Sequence, residues 1–145
     1  MILTIGLIVL VVLAAAGAGA FWFLKKRPQQ LKTTDYFETE WRELQGLLRD
    51  KAQWANAITH ADKLLDTALK KRHIRGGSMG ERLVKAQRLF TDSDSLWFGH
   101  KLRAKLDTDP TTKLKEADVK QALLGIRQAL KDVGALPDAK GRSSK

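Results

Sequence analysis

The sequence predicts an all-α protein, with a single N-terminal transmembrane helix followed by a four- to five-helix bundle. Three observations lead there. Residues 1–24 are predominantly apolar and carry no charge, so all 26 Lys and Arg follow Leu24. Beyond residue 34 the apolar residues recur at spacings of three and four, the period of one helix face. No stretch of useful length alternates with period two, so no sheet is expected.

As a helix, residues 1–24 would be roughly 36 Å long, enough to cross a hydrocarbon core of about 30 Å. Phe21, Trp22 and Phe23 fall where an interfacial aromatic belt belongs, and Lys25, Lys26 and Arg27 follow at once. Such a basic flank marks the cytoplasmic side. The expected location is therefore the cell membrane, single-pass, with the N-terminus outside and the C-terminal domain cytoplasmic. The competing reading is a cleaved signal peptide, for which Ala16, Ala18 and Ala20 supply small residues. Against it stand the missing basic n-region and an apolar run longer than the usual 7–15 or so residues.

Residues 25–34, with Pro28, read as a basic juxtamembrane linker, and 35–134 as the bundle domain. Phe37, Trp41, Leu44 and Leu48 form the stripe of a helix from about Asp35 to Arg49. Asp50 with Gln53 resembles a capping box that restarts the chain as a second helix to about Arg72. Its stripe is Trp54, Ile58, Ala61, Leu65, Ala68 and Leu69. Gly76 and Gly77 break the pattern, and Ser78 with Glu81 forms a second capping box. The third helix buries Met79, Leu83, Ala86 and Phe90. A fourth runs from the polar stretch Thr91–Ser95 through Leu106, and Pro110 lies in the next loop. The last extends from about Glu116 to Val133, with Val119, Leu123, Ile126, Leu130 and Val133 inward and Gly134 as its stop. The tail, 135–145, is expected to be disordered and basic.

Cysteine is absent, which excludes a disulfide framework and a thiolate metal site. The three histidines, His60, His73 and His100, lie on different segments, so neither a metal nor another cofactor is expected. Gly76, Gly77 and Gly80 surround a helix start rather than a phosphate loop. The net charge of +10 is concentrated at the ends. Lys25, Lys26, Arg27, Lys140, Arg142 and Lys145 lie in the flanks; removing those six leaves 20 Lys and Arg against 16 Asp and Glu. Flanking charge beside a bilayer is a topology signal or a contact with anionic lipid, so nucleic acid is not the favoured partner.

Two charges fall on apolar faces. Asp62 lies at the edge of the second helix's stripe, and Arg103 lies between Leu96 and Gly99 on the fourth. A carboxylate or guanidinium buried alone costs several kcal/mol, so the economical expectation is that the two pair across the bundle. Arg75, Arg82 and His100 are rival partners for Asp62. Lys70, Lys71, Arg72 and Arg75 form the only dense internal basic run. At the end of a helix such a run complements the dipole, and it also offers a surface for anionic lipid or RNA.

The segments Ala61-Asp62-Lys63-Leu64-Leu65-Asp66, Met79-Gly80-Glu81-Arg82-Leu83 and Trp97-Phe98-Gly99-His100-Lys101-Leu102-Arg103, in this order, resemble uncharacterised bacterial membrane-anchored proteins. Those proteins carry a domain similar to HEPN-like helical bundles. The resemblance covers roughly residues 37–133 and implies a four- or five-helix bundle, commonly a homodimer. It also implies an RNA-cleaving pair in active members: an Arg, then a polar residue, then a His some four to six positions on. Arg103 matches the Arg, but Ala104 replaces the polar residue and Thr108 stands near the place of the His. No His follows His100, so the imidazole that would handle a proton near neutral pH is missing from its place.

These observations lead to a noncatalytic, membrane-tethered interaction module, held in the bilayer through residues 1–24 and meeting a protein partner whose identity the sequence does not encode. Two other readings remain open. One is a HEPN-type RNA-acting enzyme with an altered site around Arg103 and His100. The other is a basic surface that binds anionic lipid or RNA.

Overall fold

The computed structural model describes residues 30–137, and within them the chain is all-helical with no strand. The expected anchor, 1–24, lies outside the described residues, as do Lys25, Lys26, Arg27 and the tail beyond Pro137. No helix among the described residues is long and apolar enough to cross a membrane.

Five helices follow in order: α1 (Thr34–Leu47), α2 (Trp54–Lys71), α3 (Met79–Lys85), α4 (Ser93–Thr108) and α5 (Glu116–Asp132). Helix α2 is the hub, packed against α1, α4 and α5, while α4 and α5 form the tightest pair. Its eight buried residues include Ile58, Ala61, Leu65 and Leu69, positions of the expected stripe. Helix α1 contributes Phe37, Trp41 and Leu44. It is tied to α2 by a 2.7 Å contact between Glu40 Oε2 and His60 Nε2.

Several boundaries differ from the sequence expectation. Asp50 caps a 3₁₀ turn, Lys51–Gln53, by accepting from the Ala52 amide, and the α-helix proper begins at Trp54. Gln53 does not fold back to close a capping box; its Oε1 accepts from Asn56 Nδ2. Helix α3 stops at Lys85 and yields to a second 3₁₀ turn, Gln87–Leu89. That turn lets Phe90 enter the core and brings the Thr91 amide 2.8 Å from Asp132 Oδ2. At the start of α3, Ser78 Oγ accepts from the Glu81 amide, and the Glu81 carboxylate reaches one residue further back, to the Gly77 amide.

The domain also extends past both expected limits. Leu31, assigned to the linker, packs on the core, and its amide donates to the Gly134 carbonyl at 2.9 Å. Ala135 and Leu136, assigned to the tail, are buried. Gly134 adopts φ 78°, and the Ala135 amide then returns to the Leu130 carbonyl, satisfying an orphan acceptor of α5. Helix α2 ends the same way, with His73 at φ 60° and the Ile74 amide bonded to the Leu69 carbonyl.

Contacts at its two ends set the direction of the bundle. Leu31 meets Gly134, and Arg72 Nε donates to the Val133 carbonyl at 2.7 Å, so α1 begins where α2 and α5 end. At the far end, Trp54 Nε1 donates to the Leu48 carbonyl, joining the end of α1 to the start of α2.

Candidate functional site

The crossing of α4 over α5 positions everything that α4 carries. A Cβ on Gly125 would lie 2.4 Å from the Ser95 carbonyl carbon, and one on Gly99 would lie 3.0 Å from the Ala122 carbonyl oxygen. The two backbones are therefore nearly in contact, which only glycine permits. This close approach was not anticipated, although the spacing of Ala122, Gly125 and Ala129 on one face was visible in the sequence.

With α4 held there, three polar residues meet inside the bundle. Asp62 is only 1 % exposed. His100 Nδ1 lies 3.1 and 3.3 Å from its two carboxylate oxygens, and Arg103 Nη1 lies 3.5 Å from Oδ2. Because a carboxylate only accepts, it is the Nδ1–H that donates to Asp62. Nε2 faces the first turn of α3, 3.9 Å from where a Gly80 Cβ would stand. The Trp97 ring meets the imidazole edge-on. Arg103 also approaches Asp107, one turn on, at 3.1 Å, but that oxygen lies off the axis of its Nε–H. A carboxylate that orients an imidazole is the supporting half of a general-base arrangement, and Arg103 adds a fixed positive charge beside it.

Of the rival partners, His100 therefore joins Asp62, while Arg82 lies elsewhere. Arg82, only 9 % exposed, is bidentate on Asp66 at 2.6 and 3.1 Å and gives a third bond to the Gly76 carbonyl. Lys70 joins Asp66 at 3.3 Å. This anchor between α2 and α3 was missed, because Arg82 was weighed only against Asp62. Burial raises the Asp66 carboxyl, but the hydrogen bonds and charge of Arg82, aided by Lys70, outweigh it and hold the group below its ordinary value of 3.8. Near and below that value the unfolded chain therefore binds the proton more readily than the folded one. The stabilisation is complete above the ordinary value and is lost as pH falls through the lower folded one. In urea titrations from pH 6 down to pH 2, Asp66→Asn should start less stable and lose less stability than the parent. Equal losses would show that Asp66 does not drive acid unfolding.

The basic run divides. Lys70, Lys71 and Arg75 are exposed, but Arg72 is half-buried, spent on the end of α5, and its pKa is lowered by that burial. The expectation of Arg72 as a free surface cation is thereby corrected. His60 sits with Glu40, His73 is exposed at the end of α2, and His100 belongs to Asp62; no group that could hold a metal ion occurs among the described residues.

At the far end, α1 and α5 both rest on α2 without closing on each other, and a cleft of about 320 Å³ opens between them. Its walls are Trp41, Leu44, Leu48, Trp54, Val119 and Leu123, with Leu124 at the edge, 54 % exposed. Lys120 and Arg127 of α5 line it together with a single acid of the same helix, Glu116, one turn before Lys120. Lys51 lies 5.8 Å from the centre of the Trp54 ring, and the Trp41 indole N–H is buried with no acceptor among the described residues. The cleft was illegible in the sequence, because it depends on two stripes failing to meet. Comparison with protein-family models, with curated proteins and with solved structures yields no match for this chain.

Proposed function

We propose that the chain is a noncatalytic, membrane-tethered module whose helical domain stands on the cytoplasmic side and receives a partner protein in the cleft between α1 and α5. The observation that carries this reading is the cleft itself. It is apolar, edged by an exposed leucine and two half-buried or buried tryptophans, and lies at the end opposite the chain's entry at Leu31. Aromatic anchors in a groove with a charged rim suit an amphipathic helix laid along it. The rim is cationic, so the fitting occupant is a helix whose apolar stripe is flanked by carboxylates. Tethering through residues 1–24 would raise the effective concentration of the domain for partners at the same membrane.

The test uses the full chain in phosphatidylcholine nanodiscs and two designed 18-residue peptides. Each has a leucine stripe, flanked by glutamate in one and by lysine in the other. The glutamate peptide should shift the tryptophan emission and bind at least tenfold tighter than the lysine peptide, and Leu124→Asp should abolish the difference. Equal binding of both peptides, or of neither, would remove the cleft as an acidic-helix site. A dimer that dissociates with Leu124→Asp would put a second copy there instead.

A second reading, an RNA-acting site of the HEPN type, is favoured by the meeting of His100 and Arg103 at Asp62. Labelled mixed-sequence RNA should remain intact and unretained by the full chain at moderate salt. Cleavage that vanishes in both His100→Ala and Arg103→Ala would replace the first reading with the second.

A further inference from the structure

We infer that the end of the bundle at which the chain enters is a docking face for anionic phospholipid headgroups, so that the domain sits on the bilayer in one orientation. This rests on the reading of residues 1–24 as an anchor. The Leu31 amide is bonded to the Gly134 carbonyl, and Arg72 is bonded to the Val133 carbonyl, which puts the end of α2 beside the point of entry. Lys25 is six residues before Leu31. At about 3.5 Å per residue, Leu31 then lies within roughly 25 Å of the apolar segment that ends at Leu24, however that linker runs. The end of α2 presents Lys71 and Arg75 at this face, with Lys70 shared with Asp66, while Lys32 precedes α1 and Lys131 lies in the last turn of α5.

Two carboxylates at the same end are taken up within the fold. Asp66 is taken up by Arg82, and Asp132 accepts from Thr91 and Gln128. Asp35, on the first turn of α1, and Asp92, next to the Thr91 that bonds Asp132, also lie at this end, so the cationic character is confined to the terminus of α2. The chain leaves the described domain at Pro137, again at this end, and carries Lys140, Arg142 and Lys145 beyond it. The chain thus enters and leaves the described domain at the end where α2 presents its cations, which feel a bilayer's potential only when that face is apposed.

The natural chain has no cysteine, so single-site labelling needs no background removal. A fluorophore would be attached at Lys70→Cys on this face or at Ala52→Cys at the far end. The full chain would be reconstituted in phosphatidylcholine vesicles with or without 30 % phosphatidylglycerol, using nitroxide-headgroup lipid as quencher. The site-70 probe should be quenched at least twice as strongly with phosphatidylglycerol. The gain should disappear at high salt and in Lys71→Glu/Arg75→Glu, and the site-52 probe should not respond. Each basic residue reversed should weaken apposition by about fivefold or more. Lys71→Gln/Arg75→Gln should be intermediate, with unchanged helical circular dichroism.

Quenching that ignores phosphatidylglycerol, or is equal at the two sites, would overturn the inference. So would a double reversal that leaves quenching intact while abolishing retention of RNA. Failure of the anchor is read separately, as release of the chain from vesicles by an alkaline wash. In that case salt-sensitive sedimentation with phosphatidylglycerol vesicles, present in the parent and lost in the double reversal, would still support the face, and its absence would reject it.

Discussion

Gly125→Ala should lower the stability of the domain by about 3 kcal/mol, and Gly125→Val should prevent folding. Overpacking commonly costs about 1–3 kcal/mol because side chains rotate out of the way. Here the first obstacle is the Ser95 carbonyl carbon at 2.4 Å, with its oxygen at 2.5 Å and the Leu96 nitrogen at 2.7 Å. Backbone atoms inside α4 cannot rotate aside, so the helices must separate, and the seat of Leu96 and Ile126 goes with them. For a domain of this size the alanine variant should melt some 12–20 °C below the parent. Gly46 provides the control, since nothing lies within 4 Å of a Cβ placed there. Gly46→Ala in α1 should raise stability by roughly 0.5–1 kcal/mol through helix propensity alone. Thermal melts followed at 222 nm would decide it, and a Gly125→Ala melt within two degrees of the parent would contradict the close crossing.

The second large effect is expected at Asp62. Asp62→Ala should cost about 3–5 kcal/mol, the typical penalty for removing one partner of a buried charged set. His100 loses both oxygens that face Nδ1, while Arg103 retains only Asp107, whose Oδ2 is off the N–H axis. Asp62→Asn should be milder, since the amide oxygen can still accept from Nδ1. The pair term is separable from burial. Asp62→Leu combined with His100→Leu should recover part of the loss, because it removes the imidazole donor and leaves only the partly exposed Arg103 without the carboxylate. Chemical denaturation of the single and double variants would measure it, and strict additivity would mean that the two side chains do not interact.

The core was readable because helical periodicity reports which face is buried regardless of what buries it. Phe37, Trp41 and Leu44 on α1, and Ile58, Ala61, Leu65 and Leu69 on α2, sit inward at the spacing the sequence shows. Asp62 stood out as a charge on such a face. The expectation names Arg103 as its partner and His100 as a rival; both meet it, His100 the nearer, because the two lie one helical turn apart and a stripe does not say which turn of one helix faces which turn of another. Elements a few residues long were the least legible. The 3₁₀ turns at Lys51–Gln53 and Gln87–Leu89 are set by where Trp54 and Thr91 must bond, contacts remote from any local pattern. The cleft belongs to the same class, since it depends on how far α1 and α5 stand apart on α2.

The bond from Leu31 to Gly134 has a mechanical consequence. Entry and exit are neighbours, so a pull between a fixed N-terminal segment and the C-terminal tail would not stretch the bundle along its helices. It would load that junction first and then peel α1 from α2, or α5 from its neighbours, turn by turn. Such a domain yields by unzipping, at low force and from one side. Its other end, where Trp54 bonds to Leu48, would be the last part to feel the load.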